Sequence, residues 1–94
     1  MPIALDWQPH QLTGALRPRY IAALPYPMDG ARNARLECTD CEWAVTLHET
    51  GRRIGGHFEL SLAMRLAKLW LADRVMHDAN NEHHPAACRL IDEL

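Results

Sequence analysis

The chain has 94 residues, enough for one domain and not for two, and 48% apolar content with only 6% aromatics leaves a modest core. Twelve acidic against ten basic residues give a net charge of −2, which excludes the strongly basic footprint of a general nucleic-acid binder. No run of about 18 apolar residues is present, which excludes a hydrophobic membrane-spanning helix, and composition gives no sign of disorder.

Residues 1–16 place Ile3, Leu5 and Trp7 in alternation before Pro9, Thr13 and Gly14, the pattern of an edge strand or apolar arm followed by a loop. Arg19 to Leu24 is compatible with a strand, and Pro25 and Pro27 are expected to mark its edge. Met28-Asp29-Gly30 supplies turn chemistry, and the chain returns through Arg32–Glu37. These 35 residues carry Arg17, Arg19, Arg32 and Arg35, interleaved with Tyr20 and Tyr26, so a basic strand face able to stack bases and contact phosphate is conceivable. Glu37, Asp40 and Glu42 follow at once, and their charge repels a phosphate backbone.

Cys38-Thr39-Asp40-Cys41 has the spacing of a zinc knuckle, in which both sulfurs point to the same side and supply half of a tetrahedral shell at about 2.3 Å. A redox dithiol normally opens a helix, which lowers the thiol pKa. Here Trp43, Val45 and Leu47 alternate instead with Glu42, Ala44, Thr46 and His48, the clearest strand in the chain. Thr50-Gly51 turns the chain and Gly55-Gly56 is expected to end this excursion.

From Phe58 to Ala79 runs a long helical pattern. At about 100° per residue, Leu62, Ala63, Leu66, Leu69 and Trp70 share one face, with His77 between Leu66 and Trp70, and this face is expected to meet the sheet. A second apolar arc of Leu60, Met64, Ala67, Leu71 and Val75 flanks it, and Ser61, Arg65, Lys68 and Ala72 form the solvated strip. A helix apolar over so much of its circumference needs two covers: the sheet, and either the segment around Leu5 and Trp7 or a partner surface. Asn80-Asn81 is expected to end the helix. The three tryptophans, Trp7, Trp43 and Trp70, are expected to anchor the core, and His10, His48 and His57 to lie on the surface.

Cys38 and Cys41 are followed, 35 residues later, by His77-x5-His83, so the expected metal ligands are Cys38, Cys41, His77 and His83, with His84 and Cys88 as alternatives for the fourth. Four protein ligands leave no open position for water, which makes such a zinc structural. An HNH-like nuclease is a further reading, because Asn80-Asn81-Glu82-His83-His84 offers suitable residue types. It is weakened by the position of the cluster after the helix and by the lack of a later His-Asn pair.

The Cys38-x2-Cys41-x-Trp43 stretch, an Ala-rich helix and His77-x5-His83 together resemble small zinc-finger-like proteins of prokaryotes, their viruses and plasmids. The resemblance covers residues 36–84. It implies a structural zinc and a regulatory or adaptor role, while the longer stretch between hairpin and helix, with His84 and Cys88, departs from that pattern. The sequence expectation is therefore an α+β fold, a small antiparallel sheet with a zinc knuckle packed on one long C-terminal helix. It divides into an arm and hairpin over 1–35, a core over 36–84 and a tail over 85–94. The expected function is a non-enzymatic, zinc-stabilised protein-interaction, adaptor or regulatory module. Its partner is another protein, with a homodimer and nucleic acid as other candidates. Three cysteines, an odd number that argues against a disulfide framework, and the Met1-Pro2-Ile3 start without a leader lead to the expectation of a cytoplasmic protein.

Overall fold

The computed structural model describes residues 3–10, 14 and 17–92. The expected loop residue Thr13, the start at Met1-Pro2 and the last two residues of the expected tail lie outside them. Among the described residues the fold is α+β: β1 Gln8–Pro9, β2 Arg19–Met28, β3 Ala31–Cys38, β4 Trp43–Leu47 and β5 Arg53–His57, then α1 Leu60–Asn81 and α2 Pro85–Asp92. The strands form one antiparallel sheet in the order β1-β2-β3-β4-β5, each hydrogen-bonded to its sequence neighbour.

Period-two alternation decides the faces of the sheet. Ala22, Leu24, Tyr26 and Met28 of β2 point inward, and so do Ala34 and Leu36 of β3 and Val45 and Leu47 of β4. Glycine gives the Asp29-Gly30 turn its backbone, with Gly30 at φ +83°. β2 runs on through Pro25 and Pro27, where the sequence pattern suggested an end. Both prolines are exposed, and the pairing of β2 with β3 is irregular between Ala23 and Met28, so their missing amide hydrogens interrupt no regular ladder. The glycine pair also lies inside a strand rather than at its end, with Gly55 opposite Val45 and Gly56 opposite Ala44. A side chain at Gly56 would collide with the Arg53 guanidinium, and one at Gly55 would touch Leu66 of α1, so the pair admits a close helix and a salt bridge.

α1 starts just after β5 and runs back along the sheet. It buries Ala63, Ala67, Leu71, Val75, Asp78 and Ala79. Of the two apolar arcs in the sequence, the one with Ala67, Leu71 and Val75 meets the sheet together with Ala63 of the other arc, whose Leu66 borders Gly55 and whose Leu69 turns to solvent. The reason is the small side chains: Ala63 and Ala67 let the helix settle onto Leu36 and Val45, a close approach that a row of leucines would prevent. A second cluster joins Met28, Ala31, Ala34 and Leu47 to Leu71, Val75, Ala79 and Ala87 further along. The largest fully buried side chains are Met28, Leu36, Leu47, Leu71, Val45 and Val75, whereas Trp7, Trp43 and Trp70 are half-buried and pack around these clusters rather than at their centres.

The expected tail contains a helix. His83 takes a left-handed backbone conformation at φ +50°, which turns the chain sharply after α1. His84 then caps α2, its Nδ1 accepting the Ala86 N–H at 3.2 Å, and Pro85 occupies the first helical position, where its missing N–H costs nothing. Among the described residues, no helix is long and apolar enough to cross a membrane.

Candidate functional site

The thiol pair sits at one end of the sheet. Cys38 closes β3 opposite Trp43, and Cys41 is exposed in the turn that follows. Thr39 organises this turn. Its hydroxyl donates to the Glu42 carbonyl at 2.9 Å and accepts the N–H groups of Cys41 and Glu42 at 3.3 and 3.0 Å. The Cys38 thiol donates to the neighbouring Thr39 carbonyl at 3.6 Å.

The histidines are at the opposite end. α1 begins near the thiols, since Trp43 lies between Cys38 and His57 in the sheet and α1 starts three residues after His57; His77 lies 17 residues further on, about 26 Å along the axis at 1.5 Å per residue. The sheet gives the same answer: from Cys38 back to Ala31, beside the turn that the end of α1 grips, is about 23 Å of strand. His77 is exposed and meets Asn81 at 3.0 Å through its Nδ1, and His83 is exposed on the turn. His84 is stacked on Tyr26, with ring centroids 4.3 Å apart, and the Cys88 thiol faces the Ala79 carbonyl at 3.9 Å. The wheel position of His77 between Leu66 and Trp70 holds, but His77 is exposed, and the deeply buried side of the helix is that of Ala63, Ala67, Leu71 and Val75. Zinc draws its four ligand atoms to within about 4 Å of one another. Cys38 and Cys41 cannot share one ion with His77 and His83 in this fold, so the four residues do not fit the zinc shell the resemblance implies. No group of three or more His, Cys, Asp or Glu side chains suited to a metal occurs among the described residues.

What ties the helix end to the sheet is a polar clamp. Asp78 is buried at 6% exposure, and its carboxylate accepts the Tyr26 hydroxyl at 2.7 Å and Arg74 Nε at 3.0 Å. Arg74 also reaches Asp29 with two parallel bonds of 2.8 Å, and Arg52 adds a third to the same carboxylate at 2.7 Å. Burial pushes the Asp78 carboxyl upward, but the Tyr26 hydroxyl and the Arg74 guanidinium outweigh it and hold the group below the usual carboxylate value. Hydrogen bonding to Arg74 likewise lowers Asp29 against the opposing effect of burial. Burial first, and the bond to Asp78 second, raise the Tyr26 phenol well above its ordinary 10.0. The Asp78 main-chain carbonyl accepts the N–H groups of Glu82 and His84, so the clamp continues into the turn before α2. The Arg74–Asp78 pair at helical spacing was visible in the sequence; its partners on the β2–β3 turn were not.

The outer sheet face is a layer of ion pairs. Arg19 and Arg35 converge on Glu37 at 3.1 and 3.3 Å, Arg53 pairs with Glu42, and Arg17 with Asp40. Arg35 Nε is near Glu37 but not aligned to hydrogen-bond it, and with Thr46 Oγ1 across the strand it lacks a hydrogen-bond partner. His48 meets Arg35 at 3.2 Å and lies edge-on to His10, so both rings are half-buried rather than free on the surface. His57 is half-buried too, its Nδ1 accepting the Glu59 N–H at the start of α1.

On the far side of α1 lies the main apolar exposure. Phe58 is 71% exposed, Leu69 59%, Met76 43% and Leu66 40%, with half-buried Leu62 in the same row. The segment around Leu5 and Trp7 covers another side of the helix, beside Met64, where an open groove of about 470 Å³ runs past Ser61, Arg65 and Lys68. α2 covers the side near Val75 and Ala79. Neither reaches the outward row. No protein-family model, curated protein or solved structure matches this chain.

Proposed function

We propose that this chain is a non-enzymatic protein-interaction module, an adaptor or regulator, which docks another protein chain on the outward row of α1. The observation that carries this reading is the row itself: Leu66, Leu69 and Met76 exposed on one helix face beside half-buried Leu62, extended by exposed Phe58. The row lies on a helix whose buried face packs on the sheet and whose end the clamp ties to Asp29. Three free thiols support a cytoplasmic, reducing setting. The ion pairs of the sheet support a protein partner over nucleic acid, because Arg17, Arg19 and Arg35, three of the four arginines of the N-terminal hairpin, are engaged by Asp40 and Glu37.

Site-specific photo-crosslinking tests the proposal. A photoreactive residue at position 69 is expected to give defined adducts in host lysate, and the same residue at the exposed Ala23 position of the outer sheet face is expected to give none. Absence of adducts at position 69, or equal labelling from both positions, would remove the reading.

A further inference from the structure

We infer that the groove between the N-terminal segment and α1 is a second binding site, which takes a small aliphatic carboxylate and is separate from the outward row. Leu5 and Trp7 form one wall and Met64 the other, and Ser61, Arg65 and Lys68 stand along the rim. On α1 these last four side chains fall within about 100° of the circumference, beside the buried side of the helix and about a quarter-turn from the row. The size of the groove sets the class of occupant. From Ser61 to Lys68 its helix side is about 10 Å long at 1.5 Å per residue. A usual strand runs about 17–20 Å and a helix is about 10–12 Å across, so the groove seats neither. Its volume of about 470 Å³ falls instead in the range of small-molecule sites, about 300–1,000 Å³.

The charge of the rim sets the head group. Arg65 and Lys68 lie three positions apart on one face of the helix, where like charges repel. Both are exposed, and neither forms an ion pair among the described residues. Their neighbours at three and four positions, Ser61, Leu62, Met64, Leu69, Leu71 and Ala72, include no acid that could relieve the repulsion. Asp6, exposed between Leu5 and Trp7, is not part of the lining. Acidic residues outnumber basic ones in this chain, and Arg17, Arg19, Arg35, Arg52, Arg53 and Arg74 are all paired, yet these two adjacent cations are left bare beside an apolar wall. An anion there is complementary: the Arg65 fork offers parallel N–H groups to a carboxylate, and Lys68 adds a point charge. Leu5, Trp7 and Met64 receive the aliphatic chain behind it.

Calorimetric titration with decanoate, kept below the concentration at which it forms micelles, tests the site. Decanoate is expected to bind once per chain in the micromolar range, and decanol, with the chain alone, and acetate, with the head alone, at least about tenfold more weakly. R65E and K68E, altered at exposed positions, are each expected to weaken decanoate about tenfold or more and to leave decanol unchanged. Decanoate is also expected to change the tryptophan fluorescence, and W7F, folded by circular dichroism, to lose that change while still binding in the calorimeter. L69D is expected to bind as the wild type does, which keeps this site apart from the docking row. Equal binding of decanoate and decanol, indifference to both charge reversals, a fluorescence change that survives in W7F, or loss of binding in L69D would each overturn the assignment. So would several decanoates bound per chain.

Discussion

The two ends of the molecule are held by different means. At the end with Cys38 and Cys41, small helix residues, Ala63 and Ala67, rest on Leu36 and Val45, and the thiols stand outside that packing. At the other end, Tyr26, Asp29, Arg74 and Asp78 join β2 and the turn after it to the last turns of α1 through charge-assisted hydrogen bonds that run from buried, at Tyr26–Asp78, to exposed, at Arg74–Asp29. Residues of conspicuous chemistry do not mark where a small fold is tied. Here the tie is made by a tyrosine and an aspartate 52 positions apart.

That contrast is sharpest at Asp78. Asp78→Ala leaves the Tyr26 hydroxyl buried without its acceptor and frees one edge of Arg74, and is expected to cost about 2–4 kcal/mol in urea unfolding. A loss below 1 kcal/mol would mean that the clamp end is held by its apolar contacts alone.

Tyr26→Phe removes one bond and keeps the ring stacked on His84, so its expected cost is smaller, about 1–2 kcal/mol. The same variant should change the pH profile. Asp78 and Asp29 titrate below their ordinary 3.8 in the fold, so their contribution is present above that pH and is lost as acid carries the solution through the lowered values. Tyr26 titrates above 10.0 in the fold, so its contribution is complete below pH 10.0 and falls as the pH rises beyond it. Thermal unfolding from pH 2 to 11 should show both losses in the wild type and a flatter alkaline side in Tyr26→Phe. An unchanged alkaline side would place the phenol outside the clamp.

The smallest effect belongs to the thiol end. Cys41→Ser, at an exposed turn position, is expected to shift stability by no more than about 0.5 kcal/mol, with or without a chelator. A single ion joining both ends of the molecule would make the same change unfold the chain, so this measurement separates the two pictures directly.

Much of the fold was legible in the sequence. The alternation of Trp43, Val45 and Leu47 gave β4, the turn residues gave Asp29-Gly30 and Thr50-Gly51, and the expected helix of residues 58–79 became α1 over Leu60–Asn81. The burial of α1 was read only in part: Ala63 of the expected face is buried, but its leucines stay outside while Ala67, Leu71 and Val75 go in, because hydrophobic periodicity ranks leucine above alanine while a sheet selects the side that lets the helix approach. Gly55-Gly56 read as punctuation for a related reason: what those glycines accommodate, Leu66 and the Arg53–Glu42 pair, is set by tertiary packing and leaves no local pattern. α2 was missed because its eight residues follow a left-handed histidine, a position where glycine or asparagine would have announced the turn. The candidate site was the least legible part. The Cys and His spacings are correct as spacings, but α1 carries its histidines away from the thiols because it starts, not ends, beside them.

The prolines of β2 have a consequence for how the protein behaves in a crowded solution. Among the described residues β1 pairs with Tyr20 and Ile21, and no further strand pairs with that border of β2. Pro25 and Pro27 withhold two of the amide hydrogens that an extended segment from another molecule would need to add itself there. The margin is therefore a poor template for fibril growth, in a chain that already exposes leucines on its helix.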